Sequence, residues 1–389
     1  MFGAVVVAVL STVFLSTPVR ATDGKDLLFP AGPVSYLQEN NPGGPWSIHL
    51  IRVDRHHTNY FFTTTLGGEK RIGRATVPDQ VKGIPAEKGK PVAAINADFF
   101  HINLHHWGDP RDLQIRDGEV ISAPSGNSCL WFDASGSPYS TNVYSEFQVQ
   151  FPDGSSIPFD LNENRWWDEC ILFTSVNGSS TRTLGGREIE LGPVPGQPWL
   201  PLCPSREMKV KVLRVRESGN TLLTADSLVL SMGSRLASQV PKLKPGDEIT
   251  ISTATRPDLT GVTTAIGGGP KLVTAGKVWK WKNPRQARHP RTAIGWNRDF
   301  IFLVVVEGEQ KSSVGMTFPE LAAYMHGLGC EEALNFDGGG SSALWYRGKT
   351  MIQARQNDER LVANALVLCE RPLQEGSGGM EKPKGGEKR

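Results

Sequence analysis

The sequence predicts an α+β protein of strand-rich mixed sheets with few helices, organised as a single main domain. Three observations carry this expectation. Glycine (42) and proline (27) interrupt the 389-residue chain too often for long helices. Between them lie short runs of alternating or wholly apolar residues, the pattern of strands. Only one stretch combines a clear helical period with start and stop signals. The 16 Phe and 10 Trp provide core material, so the glycine and proline content does not signal disorder.

Taken in order, Trp46–Val53 alternates and Tyr60–Thr65 follows it as a second strand. Val92–Ile95 is short and apolar, as in a buried strand. Gln114–Ile121 contains Asp117-Gly118, a type I′ hairpin signal, between Ile115 and Val120. Lys209–Arg214, Ser227–Ser231 and Asp247–Ser252 continue the series. Thr292–Trp296, Ile301–Val306, Ala333–Phe336, Ala343–Tyr346 and Ala363–Leu368 complete it. The helix opens on a capping box, Thr317 with Glu320, and has Pro319 in its first turn. Leu321, Tyr324, Met325 and Leu328 then form one apolar face, and Gly327 and Gly329 mark its end. A weaker helix is expected over Ser234–Val240. Residues 134–205, with Trp166-Trp167 and several prolines, read as an irregular excursion from the domain.

The ends differ in kind from this middle. Ala4–Leu15 is an apolar run too short for a membrane span and is followed by Val19-Arg20-Ala21, a small-residue cleavage pattern. Residues 1–21 therefore read as a signal peptide, which places the protein outside the cytoplasm, secreted or in the periplasm and cell envelope. Residues 373–389 are Gly, Lys and Glu and read as a disordered tail, leaving 25–372 as the folded part. No integral membrane domain is expected. The 42 Lys+Arg against 40 Asp+Glu leave a net charge of +2, so no basic surface points to nucleic acid. Oligomeric state is not encoded in any pattern. Five cysteines include no CxxC pair, and Cys170–Cys203 and Cys330–Cys369 are the pairings considered for an exported chain.

Three segments carry chemistry. In Ala94–Phe100 a buried strand ends in Asn96 and Asp98, two residues apart and hence on one face of an extended chain. Alone, such a pair is ordinary turn chemistry. The second segment joins Gly267-Gly268-Gly269, followed by Lys271, to Arg291-Thr292. Three glycines let backbone N–H groups approach a ligand, and the arginine fork suits phosphate. The third is Asn335-Phe336-Asp337-Gly338-Gly339-Gly340-Ser341-Ser342. A carboxylate closes a strand, and three glycines and two hydroxyls follow it. A tight turn needs one or two glycines, not three beside an acid. The segment is neither a Walker loop nor a nucleophile elbow, since GK[ST] and GxSxG are absent.

Together with Gly118–Ser122, Ser313-Val314-Gly315 and Val362–Leu366, these segments resemble the phosphodiester glycosidase family in order and combination over roughly residues 90–368. One departure is Glu307-Gly308-Glu309, where family members often carry Asp-Gly-Arg. The resemblance implies a hydrolase that splits a sugar from a sugar-1-phosphodiester in exported or envelope glycans. A phosphate leaving group lessens the need for a strong general acid. Asp337 is then the candidate nucleophile or base, Asp98 or Glu307 the second carboxylate, and Asn96 a polar orienter. Arg291, Thr292, Lys271 and the Gly267–Gly269 or Gly338–Gly340 amides, with Ser341 and Ser342, are assigned to the phosphate. Phe99, Trp107 or Trp345 would stack on the sugar. The partner is a carbohydrate-phosphate, and no cofactor is required.

Two other readings compete. His101, His105 and His106 lie close to Asp98 and Asp109, with His56-His57 elsewhere, a set that could bind a divalent metal for a metal-assisted phosphodiesterase. A polar, solvent-facing loop accounts for the same histidines. The ten Trp also allow a non-catalytic polysaccharide-binding protein, although binding needs no acid beside a glycine loop.

Overall fold

The run Phe300–Val306 (FIFLVVV) does not alternate because both of its faces are covered. In the computed structural model, which describes residues 29–102, 108–282, 287–352 and 359–372, this strand is central in a seven-stranded sheet. The order runs Val34–Asn41, Trp46–Asp54, Phe300–Val306, Arg291–Trp296, Glu332–Asn335, Lys271–Thr274, Lys277–Val278. On one face, Leu321 and Met325 of helix Phe318–Gly327 pack against Ile48, Leu50 and Val304. On the other, Ile51, Leu303 and Val305 meet Ile95, Leu366 and Leu368. Those residues belong to a five-stranded sheet ordered Lys349–Thr350, Leu344–Tyr346, Lys90–Asn96, Ala365–Glu370, Tyr60–Thr64. Its far face, with Ala94, Ala365 and Val367, is covered by helix Val77–Lys82.

The layering is therefore helix, sheet, sheet, helix. A twelve-stranded sheet abuts it. That sheet has its own core around Phe147, Leu172 and Ile251. It also sends Leu130, Phe132 and Ile266 into the core between the other two sheets. The shared core makes the strand-rich α+β chain one domain.

Local signals and structure agree at several points. The Thr317–Glu320 capping box is formed in both directions. Asp117 and Gly118 take φ of 54° and 81°, the left-handed pair a type I′ turn requires, and Ile115 faces Val120 across it. The second expected helix is shorter, Ser234–Ala237. The Val77–Lys82 helix has an N-cap at Thr76 and Pro78 in its first turn, but is too short to show a period.

Residues 134–205 are not an irregular excursion. They supply Pro138–Gln150, Cys170–Thr174 and Arg187–Pro193, all in the twelve-stranded sheet. Short strands between glycine and proline turns hide their alternation. The five cysteines are free thiols. Cys330 lies under the Phe318–Gly327 helix and Cys369 under the Val77–Lys82 helix, in separate cores. Cys170 is buried in the large sheet, whereas Cys203 is half-buried and donates to the carbonyl of Pro201. The signal-peptide segment 1–21, the tail 373–389, His105, His106 and Trp107 lie outside the described residues.

Candidate functional site

The three glycine- and acid-bearing segments converge because two sheets end at the same place. Asp337 follows the strand Glu332–Asn335, and its backbone N–H donates to the carbonyl of Ala97, just past Lys90–Asn96 of the facing sheet (2.8 Å). Asn96, 1% exposed, completes the junction. Its Nδ2 donates to the Asp337 carbonyl at 2.7 Å, and its Oδ1 accepts from Thr292 Oγ1 (2.7 Å) and Ala343 N (3.0 Å). Three hydrogen bonds to three segments make the side chain a brace between them. The Gly339 N–H donates to the Pro290 carbonyl, tying the glycine turn to the Arg291 strand.

The Asp337 carboxyl is hydrogen-bonded to the Ser341 hydroxyl and the Gly338 N–H. Burial pushes its pKa above the ordinary value, against the pull of those bonds and of Arg360. Arg360 lies directly over the turn. A Cβ on Gly340 would come within 2.3 Å of its guanidinium, so the arginine packs directly against the bare glycine backbone. Arg360 Nη1 also lies 3.5 Å from Ser341 Oγ.

Beside Asp337 stands a second acid pair. Asp98 Oδ2 accepts from the Asp112 N–H at 3.0 Å, and the Asp98 N–H is held by Asn364 Oδ1. Asp112 Oδ1 accepts from the N–H groups of Leu113 and Ser125, while its buried Oδ2 has no hydrogen-bond partner. Gly267 separates the two side chains by having none. A Cβ there would lie 2.5 Å from Asp112 Cβ and 2.7 Å from Asp98 Oδ1. Burial pushes Asp98 well above the carboxylate range, and the charges of Asp112 and Asp337 push it further. That shift favours the protonated form of Asp98. Burial also raises the neighbouring Cys129, keeping it a thiol. A cleft of about 700 Å³ opens over this pair, walled by Arg111, Asn127, Ser128, Asn142 and Gly268.

The other expected site residues divide. Gly268, Gly269, His101 and Phe99 line the cleft. Thr292 is used by Asn96. Ser342 Oγ is buried without a partner. Arg291 does not line the cleft. Its Nε donates to Met316 O at 2.8 Å, its Nη2 to Ala287 O, and the guanidinium stacks on Phe318 at 4.0 Å. It braces the layer behind the glycine turn. Lys271 Nζ donates to Ser140 O. Glu307 is paired with His49 Nε2 at 2.8 Å, and His49 Nδ1 is bonded to Tyr36 at 2.9 Å. Glu307 is thus part of a buried polar chain. Glu309 faces His289 at 3.1 Å.

Trp345, partly buried, packs against the core beneath the Val77–Lys82 helix. His56 and His57 pair with Asp299 and Asp54 near the Asp54–Phe300 end of the seven-stranded sheet, opposite the Arg291 end. Among the described residues no group of three or more His, Cys, Asp or Glu is arranged to hold a metal. Sequence reading missed Asp112, Arg111 and Arg360, polar loop residues that belong to no glycine-rich or repeating pattern. The one available signal was the position of Asp112 two residues before the hairpin strand Gln114–Arg116.

Comparison with known proteins adds a family match over part of the chain. Residues 211–369 match the phosphodiester glycosidase family model. That span includes Gly267, Asp337 and Arg360, and Asp98 and Asp112 precede it. A curated relative, the SPbeta prophage-derived uncharacterized protein YomE of Bacillus subtilis, is 33% identical over 82 residues, 21% of this chain. The match spans 13% of that protein's length. Two solved structures share the fold. A hypothetical protein from Synechocystis superposes with a TM-score of 0.68 at 18% identity, covering 87% of this chain and 62% of that one. A candidate exported protein of Burkholderia pseudomallei gives 0.63 at 20% identity, covering 84% and 74%.

Proposed function

With residues 211–369 matching the phosphodiester glycosidase family as premise, we propose that this protein hydrolyses the bond between a sugar and a phosphodiester at the anomeric carbon. The observation that supports this best is the placement of Asp337 and its glycine turn beside the Asp98–Asp112 pair that lines the cleft. Asp98 enters the reaction protonated and gives its proton to the departing phosphate oxygen. Asp337, shifted less, acts as carboxylate on the sugar side, as base toward water or as nucleophile. The C1–O bond breaks and a C1–OH forms. The phosphate oxygen gains the Asp98 proton, and the proton lost by water returns to the acid pair through solvent.

Asn96 fixes the backbone at Asp337, and Asn127, Ser128 and Asn142 offer amides and hydroxyls of the kind that bind sugar hydroxyls. The apolar run Ala4–Leu15 and Val19-Arg20-Ala21 support export, and hence an envelope or extracellular glycan as the setting. Among the described residues no helix is long and apolar enough to cross a membrane.

The test compares wild type and Asp337→Asn on sugar-1-phosphodiesters, plain glycosides and sugar-free phosphodiesters. The expected outcome is selective turnover of the first class, reduced by about a hundredfold or more in Asp337→Asn with the melting temperature retained. Equal cleavage of all three classes would sink the proposal.

A further inference from the structure

Most of the donors that the sequence offered to the phosphate are spent inside the fold. Arg291 serves two carbonyls and an aromatic face, and Lys271 Nζ donates to Ser140 O. The Gly268 and Gly269 N–H groups line the cleft but donate to Ser128 O (3.0 Å) and Asn335 O (2.7 Å). In the second glycine loop, the Gly339 N–H donates to Pro290 O, and the Gly338 N–H and Ser341 hydroxyl serve the Asp337 carboxyl. The reaction nevertheless hands the Asp98 proton to a phosphate oxygen. The phosphate must then lie against Asp98, where a cation beside it would offset the repulsion of the nearby carboxyls.

Arg111 stands at that place. Its backbone N–H donates to Phe99 O at 2.9 Å, and the N–H of the next residue, Asp112, donates to Asp98 Oδ2 at 3.0 Å. Two consecutive residues are thereby clamped to two consecutive residues, which fixes Arg111 relative to the proton donor. It is exposed and lines the cleft together with Asp98 and Asp112. Among the described residues that line the cleft it is the one permanent cation. Its guanidinium forms no hydrogen bond or ion pair with any described residue. That is informative because an acid is at hand. Asp112, its neighbour in the chain, keeps a buried Oδ2 without a hydrogen-bond partner, and Arg111 does not close on it. Arg291 and Arg360 differ in this respect. The first is committed behind the turn, and the second packs on Gly340 and reaches Ser341.

We propose that Arg111 receives the phosphate of the substrate on the Asp98 side of the cleft, and so sets the preference for a phosphate leaving group over a plain alcohol. The planar guanidinium holds two phosphate oxygens at once, a geometry that an ammonium group does not match. Asn127, Ser128 and Asn142 are left to the sugar. The identity of the substrate rests on the hydrolytic reading above. The anion site itself does not.

The test titrates inorganic phosphate into the full chain by calorimetry, using wild type, Arg111→Gln, Arg111→Lys and Arg360→Gln. In parallel, kcat/KM is measured on a sugar-1-phosphodiester and on an aryl glycoside of the same sugar. Arg111→Gln is expected to weaken phosphate binding by about tenfold or more, the loss of one charge-assisted contact. The ratio of the two kcat/KM values is expected to fall by a similar factor, with the melting temperature retained because the side chain is exposed. Arg111→Lys keeps the charge without the fork and is expected to fall between. A loss shared equally by both substrates would mark a structural role and overturn the inference. So would phosphate that binds wild type and Arg111→Gln alike, or binds neither. Binding lost only in Arg360→Gln would overturn it too, by placing the anion at the glycine turn. Phosphate binding that depends on Arg111 supports the site even if no sugar-1-phosphodiester is cleaved, an outcome that removes the hydrolytic reading alone.

Discussion

Gly267 shows how much one residue's absent side chain can decide. It lets the Asp98 and Asp112 carboxyls lie side by side over the end of strand Thr264–Gly267. Gly267→Ala would force a methyl group into both side chains. The expected cost is about 1–3 kcal/mol of stability, typical of overpacking, together with a loss of turnover far larger than the fraction unfolded would explain. Urea denaturation and kcat on the same preparation check this, and unchanged turnover would remove the acid pair from the chemistry. Glu307 teaches the converse. Its charge and its place after a buried strand made it a plausible second carboxylate, yet the chain His49 to Tyr36 occupies it. Residue type was legible in the sequence at Glu307, Arg291 and Lys271; the direction of each side chain was not. Direction depends on tertiary neighbours, such as Met316 and Phe318 for Arg291, Ser140 for Lys271 and His49 for Glu307.

At the scale of elements, the signals that survived were local ones. The helix Phe318–Gly327 is specified by Thr317, Glu320 and an apolar face that packs on the seven-stranded sheet. Thr317→Ala removes the side chain that accepts from Glu320 N. It is expected to cost about 1 kcal/mol by the usual N-cap scale, read as a lower urea midpoint with unchanged slope. No loss would mean that packing alone holds the first turn. The hairpin at Asp117-Gly118 was equally legible, since only a left-handed pair closes it. Sheet order was not. Strand Glu332–Asn335 lies between Arg291–Trp296 and Lys271–Thr274, and nothing short-range in any of them names those partners. The site inherits this division. Its acids and glycines stand out along the chain, whereas Asp112 and Arg360 join it only through strand ends and the Ala75–Val362 bridge.

For the whole molecule, the near-zero net charge of +2 conceals a set of buried acids with a common consequence. Burial raises the pKa of Asp98, Asp337 and Asp160, and takes Glu163 to about 9 beside Asp160, Glu169 and Asp109. In the unfolded chain these groups ionise near pH 4. Between that pH and the folded values, the native state binds more protons than the unfolded state, so stability falls as pH rises. Asp79, Asp133, Asp153 and Asp258 are lowered and work in the opposite sense, giving stability that is lost as pH falls below about 4. They lie near the surface, where solvent screens them, and their share is small. The melting temperature is therefore expected to be highest on the acidic side, near pH 5, and to decline steadily toward pH 9. Glu163→Gln, which keeps a hydrogen-bonding amide beside Asp160 but cannot ionise, should flatten the upper part of that decline. A profile that is level or rising from pH 5 to 9 would show that the buried acids are solvated and charged. Asp98 could then not serve as the proton donor, because the same burial that sets the stability slope keeps its proton in place.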